Sequence, residues 1–227
     1  MNEIEELKQK IAAAETEAKR KTQALESTLT TVSLLYQITS ELGLIEDIDQ
    51  LYKTFLEKVL QLFSIEIGVF YHIETEPEQY RAFLSLGLRH NEEALLTGPF
   101  FAGTLFEEVI LKRGIRLVST EEIQSVNPVF RRYPIAVTLM VPVETKAGVV
   151  AVLQLSRLYD EPFFPEDERV FRILLSKLSS SLEAASAQDI LRKKTNELER
   201  MNKLMVDREL KMIELKKQIA ELFAERK

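Results

Sequence analysis

The chain has 227 residues, 45% of them apolar, and its 30 lysines and arginines against 36 acidic residues leave a formal net charge of −6. That is enough apolar material for the core of one or two domains, while the acidic balance argues against a surface for nucleic acid or an anionic membrane, either of which calls for a basic patch. There is no cysteine, which excludes disulfides, thiolate metal sites, cysteine nucleophiles and thioether-linked chromophores.

The chain begins MNEIEELKQK, charged from the outset, so no secretory leader is expected. The longest uncharged run, Ser27–Ser40, is too short and too polar to cross a bilayer. A cytoplasmic protein without membrane or nucleic-acid partners is expected. From Ile4, apolar or small residues recur in steps of three and four through Leu7, Ile11, Ala14, Ala18, Leu25, Val32, Leu35 and Leu42, with Lys21, Thr28 and Thr39 in the remaining seam positions. That spacing predicts a coiled-coil helix, uninterrupted by glycine or proline until Gly43.

After Gly43, Leu51, Phe55, Val59 and Leu62 mark one face of an amphipathic helix, Ile48–Phe63. The period then changes. Ile67–Glu74 and Tyr80–Leu86 are rich in β-branched and aromatic residues and flank the polar loop ETEPEQ, which predicts a hairpin ending at Gly87. Thr104–Lys112 reads as a short helix with a Thr104/Glu107 capping box, basic residues at its negative end and Gly114 as its stop. Ile115–Val118 reads as a strand, Ser119–Val126 as a helical turn with Ser119 and Glu122 spaced as a second capping box, and Asn127–Tyr133 as a loop.

Pro134–Arg157 holds two apolar runs of strand length joined by a short polar turn. In the first, Ile135, Val137, Leu139, Val141 and Val143 alternate with Ala136, Thr138 and Met140; in the second, Val149, Ala151, Leu153 and Leu155 alternate with Val150, Val152 and Gln154. Strand side chains point alternately to the two faces, so two uncharged faces predict a hairpin covered on both sides. Gly148 supplies the positive φ at the end of its turn. Pro165 and the acidic Glu166, Asp167 and Glu168 open a last helix, which buries Val170, Phe171, Leu174, Leu178 and Leu182. It then becomes a strict heptad through Leu191, Leu198, Met205, Met212 and Ile219, partnered by Met201, Leu215 and Leu222, with Lys194 and Arg208 in the seam. The predicted organisation is an N-terminal coiled-coil helix (1–42), a globular domain (43–185) and a C-terminal coiled-coil helix (186–227).

Three stretches carry a resemblance: GTLFEEVILKRGIRLVS (Gly103–Ser119), VPVETKAGVVAVLQLSR (Val141–Arg157) and FFPEDERVFRILLSKL (Phe163–Leu178). In this order and spacing the chain resembles a GAF domain over roughly Leu42–Ala185. The resemblance implies an α+β fold with a six-stranded antiparallel sheet and helices on both faces, the leading and trailing helices covering one face and a small-molecule pocket lying on the other. It also implies that Pro142, awkward inside a strand, sits at a local bulge. The segment MVDRELKMIELKKQIAEL (Met205–Leu222) resembles helices of bacterial sensor proteins and histidine kinases.

Few residues are placed for chemistry. The chain has two histidines, His72 in a strand and His90 in a turn. A structural role is read for both, with haem ligation by His72 as the competing reading. Gly98 and Gly103 have the outer spacing of a phosphate loop, but Thr104 stands where its lysine would be. Glu74, Glu76 and Glu78 read as a solvated strand edge, with a weak cation site as the competing reading. Cyclic-nucleotide-binding GAF domains carry an N-K…F-x-x-x-D-E signature; Phe163, Asp167 and Glu168 match its second half, but Ser156 and Arg157 replace the Asn-Lys pair. The branch of the family that reduces free methionine sulfoxide uses cysteines, which this chain lacks. No enzyme is expected, and the residues specify no cofactor.

The resemblance puts a binding site under Gly98–Leu105 and Asn127–Tyr133. Phe100, Phe101, Phe130 and Tyr133 make these segments aromatic, and Arg131 and Arg132 would hold an anionic group of a ligand. Thr138 or Met140 from the central hairpin and Phe70 or His72 from the first hairpin would form the floor, with parity alone leaving open which strand face looks into the pocket. The expected function is sensory or regulatory: a small ligand, or a change in the leading helix, acts through the helices on a sensor kinase or response regulator in a bacterial two-component system. The alternative is a structural adaptor with a filled core. Both arms predict a parallel homodimer; arms folded back within one chain are the rival geometry.

Overall fold

The computed structural model of the protein describes residues 17, 21–22, 29–30, 32–75, 78–89, 92–99, 104–159, 163 and 165–224. The predicted seam residues Ile4, Leu7, Ile11, Ala14, Ala18 and Leu25 lie outside them, as do His90, Phe100 and Phe101. Two units are distinguished, Met1–Leu182 and Glu183–Lys227.

In the first unit six strands form an antiparallel sheet in the order β3-β2-β1-β6-β5-β4. They are β1 (Ile67–Thr75), β2 (Glu78–Leu86), β3 (Thr97–Pro99), β4 (Arg116–Val118), β5 (Val137–Thr145) and β6 (Gly148–Arg157). The predicted central hairpin is β5–β6, and β1 pairs with β6 to complete the middle of the sheet. Both faces are largely apolar because both strand parities are. On one face lie α1 (32–43), α2 (Ile48–Phe63) and the beginning of α5 (Pro165–Ala224). Leu42, Phe55, Val59, Phe70, Leu153 and Phe171 are fully buried there, and the Phe63 and Phe171 rings stack with centroids 4.2 Å apart. On the other face α3 (Leu105–Lys112), α4 (Thr120–Val126) and a 3-10 turn (Pro128–Arg132) cover Val69, Tyr71, Tyr80, Met140 and Val152.

The caps explain where the helices start. Asp47 accepts a 2.7 Å bond from Gln50 N at the head of α2, Thr104 accepts from Glu107 N at α3, and Ser119 and Glu122 form the complete capping box predicted at α4. The end of α3 differs from expectation. Arg113, not Gly114, takes the left-handed conformation, at φ +48°.

Two further differences come from pairing, and the bulge expected at Pro142 accompanies the first. Val143 pairs with Ala151 and Glu144 with Val149, so Val150 is an extra residue in β6. Beyond that bulge the faces exchange: Val149 packs with the α3 side and Val150 with the α2 side, the reverse of simple alternation. Pro142 stands next to this irregularity, and β4 has already stopped pairing at Met140, so β5 has a single neighbour where the proline lacks an N–H. Strand β3, with sequence TGP, has almost no strand signature. It forms because Gly98 lets the backbone lie against the Tyr80 ring, where a Cβ would come within 2.4 Å of the hydroxyl.

Ile38 and Leu42 of α1 are buried with α2 and α5. In the second unit α5 carries Leu191, Leu198, Met201, Met205 and Met212, each at least half exposed. No helix among the described residues is long and apolar enough to cross a membrane.

Candidate functional site

Beneath α3 and α4 the sheet face is not wholly apolar. The register places Thr138 opposite Ser156 and Met140 opposite Gln154, with Tyr71 of β1 opposite Val152 of β6. The Tyr71 hydroxyl donates to Gln154 Oε1 at 2.7 Å, Gln154 Nε2 donates to Ser156 Oγ at 3.2 Å, and Ser156 Oγ lies 2.8 Å from Thr138 Oγ1. All four residues are essentially inaccessible. Burial pushes the Tyr71 hydroxyl well above its ordinary range, and the neighbouring Tyr80 adds to this, so Tyr71 acts as a neutral donor. Phe106 from α3 closes this floor. Its ring stacks on Tyr80 at 4.1 Å and meets the edge of Tyr71 at 5.0 Å. The Tyr80 hydroxyl continues outward to Val126 O at 3.0 Å.

A second cluster fastens the side of this layer. Glu92 is only 5% exposed. Its Oε1 accepts from Arg132 Nη1 at 2.7 Å and its Oε2 from the Tyr133 hydroxyl, which in turn accepts from Arg89 N at 2.7 Å. The Tyr133 hydroxyl first, and then the Arg132 guanidinium, hold the Glu92 carboxyl below the usual carboxylate range. Asn127 ties the same two segments together through Leu95 O at 2.9 Å.

The candidate residues read from sequence are therefore divided. Phe130, Thr138 and Met140 share the α3 face and are fully buried. Phe70 lies on the opposite face, packed on Tyr52 and Phe55. His72 stacks on Phe83 at 3.8 Å, a ring that packs with the α2 core. Loss of solvation there lowers its imidazole below the ordinary value. Tyr133 and Arg132 are bound to Glu92, and Arg131 is exposed. Phe100 and Phe101 lie outside the described residues. Sequence reasoning missed Tyr71, Gln154, Ser156 and Glu92. A glutamine in the apolar run AVLQLS was a signal, since a buried amide needs partners; Glu92 offered none. Among the described residues no group of three or more histidine, aspartate or glutamate side chains could hold a metal.

No known family profile matches this sequence, and no curated protein does. Solved structures do match. The GAF domain of a phosphoenolpyruvate-protein phosphotransferase from Coxiella burnetii superposes with TM-score 0.60 at 16% identity, over 71% of this chain and 98% of that one. The fold is that of a GAF domain. A free methionine-R-sulfoxide reductase from Neisseria meningitidis, solved with its substrate, matches with TM-score 0.58 at 17% identity, over 70% of this chain and 91% of that one. The GAF domain of a two-component sensor histidine kinase from Bacillus halodurans matches with TM-score 0.51 at 15% identity, over 64% and 99%. At such identities the likeness concerns the fold. Within the GAF fold of this chain, the Tyr71–Gln154–Ser156–Thr138 string lies on the sheet face beneath α3 and α4, and the Glu92 clasp fastens the side of the layer that covers it.

Proposed function

We propose that this chain is a cytoplasmic regulatory GAF module that acts on a partner through its helices. The observation that carries this reading is α5. Phe171, Leu174, Leu178 and Leu182 pack in the sheet core, and the same helix then bears Leu191, Leu198, Met205 and Met212 at heptad spacing and exposed. A soluble protein gains by covering such a stripe, and a parallel second copy is the cover that heptad spacing fits. On this reading the partition 1–42, 43–185 and 186–227 separates two signalling helices from the GAF core. The fold it shares with a domain of a two-component sensor histidine kinase supports a sensor kinase or response regulator as the partner.

The ligand site of this reading is the face under α3 and α4, with Phe130, Thr138 and Met140 joined by Tyr71 and Gln154. Arg131 and Arg132, with Phe100, Phe101 and Tyr133, would make its mouth. Enzymatic chemistry is not part of the proposal: the cysteines that the sulfoxide-reducing branch uses are missing from this chain. The adaptor reading draws on a different observation, that the polar string is internally bonded and asks nothing of a ligand. Native mass spectrometry of the full chain against a metabolite panel tests the two. A dimer carrying a bound small molecule supports the sensor, a dimer that stays bare throughout supports the adaptor, and a monomer overturns the helix-paired reading of both.

A further inference from the structure

At one corner of the sheet two paired strands part. Strand β4 pairs only with Thr138–Met140 of β5, and beyond that point Arg113 and Ile115 on one side and Val141, Pro142 and Glu144 on the other line a gap. Together with one side of α5, these residues line an open cleft of about 270 Å³. Drug-sized ligands occupy pockets of about 300 Å³ and upward, so this cleft suits something smaller. It opens on the α5 side of the sheet and is separate from the face under α3 and α4.

Its polar lining is Arg113, Arg172, Ser176, Ser179 and Glu144, and its aliphatic lining includes Ile115, Val141 and Leu175. Among the described residues, the Arg113 guanidinium, the Glu144 carboxylate and both serine hydroxyls have no hydrogen-bond or ion-pair partner. Among the described residues Arg172 is engaged only by Glu168, one turn earlier on α5, in a pair whose side chains are 65% and 50% exposed. Exposed pairs of this kind contribute little and are readily exchanged for a better-placed anion.

The cleft thus offers two guanidinium groups, two hydroxyls and one carboxylate around an aliphatic wall. A plain anion would meet Glu144, and a plain cation would meet the two arginines. A molecule carrying both charges satisfies the whole set. We propose that this cleft binds a free amino acid or a similar small zwitterion, its carboxylate on Arg113 and Arg172, its ammonium on Glu144 and its side chain on the aliphatic wall. This site is independent of any ligand under α3 and α4.

The backbone supplies a clean test. Arg113 holds φ +48°, a conformation that glycine adopts freely, so Arg113→Gly removes the guanidinium from a chain that still folds. The full-length protein is titrated calorimetrically with each common amino acid, and with glutarate and inorganic phosphate as probes that carry no ammonium. At least one amino acid should bind the unaltered chain, with affinity about tenfold or more lower in Arg113→Gly and in Glu144→Gln. Glu144→Gln should leave glutarate binding undiminished. The proposal is overturned if no amino acid binds, if phosphate or glutarate binds as well as the best amino acid, or if binding survives both substitutions and therefore belongs elsewhere.

Discussion

Arg132 Nη1 lies 2.7 Å from Glu92 Oε1, an ion pair made across 40 positions of sequence. It joins the segment before β3 to the 3-10 turn Pro128–Arg132, and the Tyr133 hydroxyl completes the clasp on the other carboxylate oxygen. The arginine that the sequence offers to an anionic ligand is thus already neutralised by the protein's own carboxylate. An anion arriving under this turn would have to displace Glu92, which couples its binding to release of the turn.

Glu92 should make stability fall in acid. Its folded pKa is lowered, by Tyr133 and then Arg132, from the ordinary 4.5. Its contribution is therefore fully present above that value and is lost as pH falls through 4.5 towards the folded pKa. Urea midpoints measured from pH 7 down to pH 3 should drop less steeply for Glu92→Gln than for the unaltered chain, with the two curves converging at the acid end. Parallel curves would mean that the clasp contributes nothing.

Tyr71→Phe removes the donor to Gln154 Oε1 inside a site closed to water. A buried acceptor left unsatisfied costs about 1–3 kcal/mol, which denaturant unfolding resolves. An unchanged midpoint would show that Gln154 finds another donor.

Phe171 is fully buried and stacks on Phe63, whereas Leu111 is 72% exposed. Replacing each by alanine should therefore separate the two positions, at about 3–5 kcal/mol for Phe171 and within about 0.5 kcal/mol for Leu111. Thermal or urea unfolding of the pair of variants reads the difference directly.

Leu198→Glu places a charge in the exposed stripe of α5, where Leu198 is 62% exposed in the single chain. If that stripe is the seam of a dimer, light scattering should show a shift to monomer mass at micromolar concentration while the near-ultraviolet spectrum of the GAF core stays unchanged. A mass that does not move would remove this stripe from the interface.

Local chemistry accounts for what could be read in advance. The span Ile48–Phe63 emerges as α2 to the residue, and Ser119/Glu122 caps α4 as its spacing says, because helix period and capping depend on residues within one turn of each other. The β5–β6 hairpin is legible for the same reason: its alternation and its glycine are local. What the sequence could not determine alone depends on partners far along the chain. Whether Phe70 and Thr138 share a face required the register that joins β1 to β6 and β6 to β5, and they do not share one. The exchange of Val149 and Val150 follows from one extra residue opposite Val143 and Glu144, which alternation by itself cannot signal. Strand β3 exists only where the Tyr80 ring meets Gly98. Glu92, a charged residue in a polar stretch, is buried only because Arg132 and Tyr133 come to it. Sequence patterns therefore determined the elements and their apolar sides, while tertiary pairing decided which polar groups meet, since a hydrogen bond between distant residues is set by register and packing rather than by spacing.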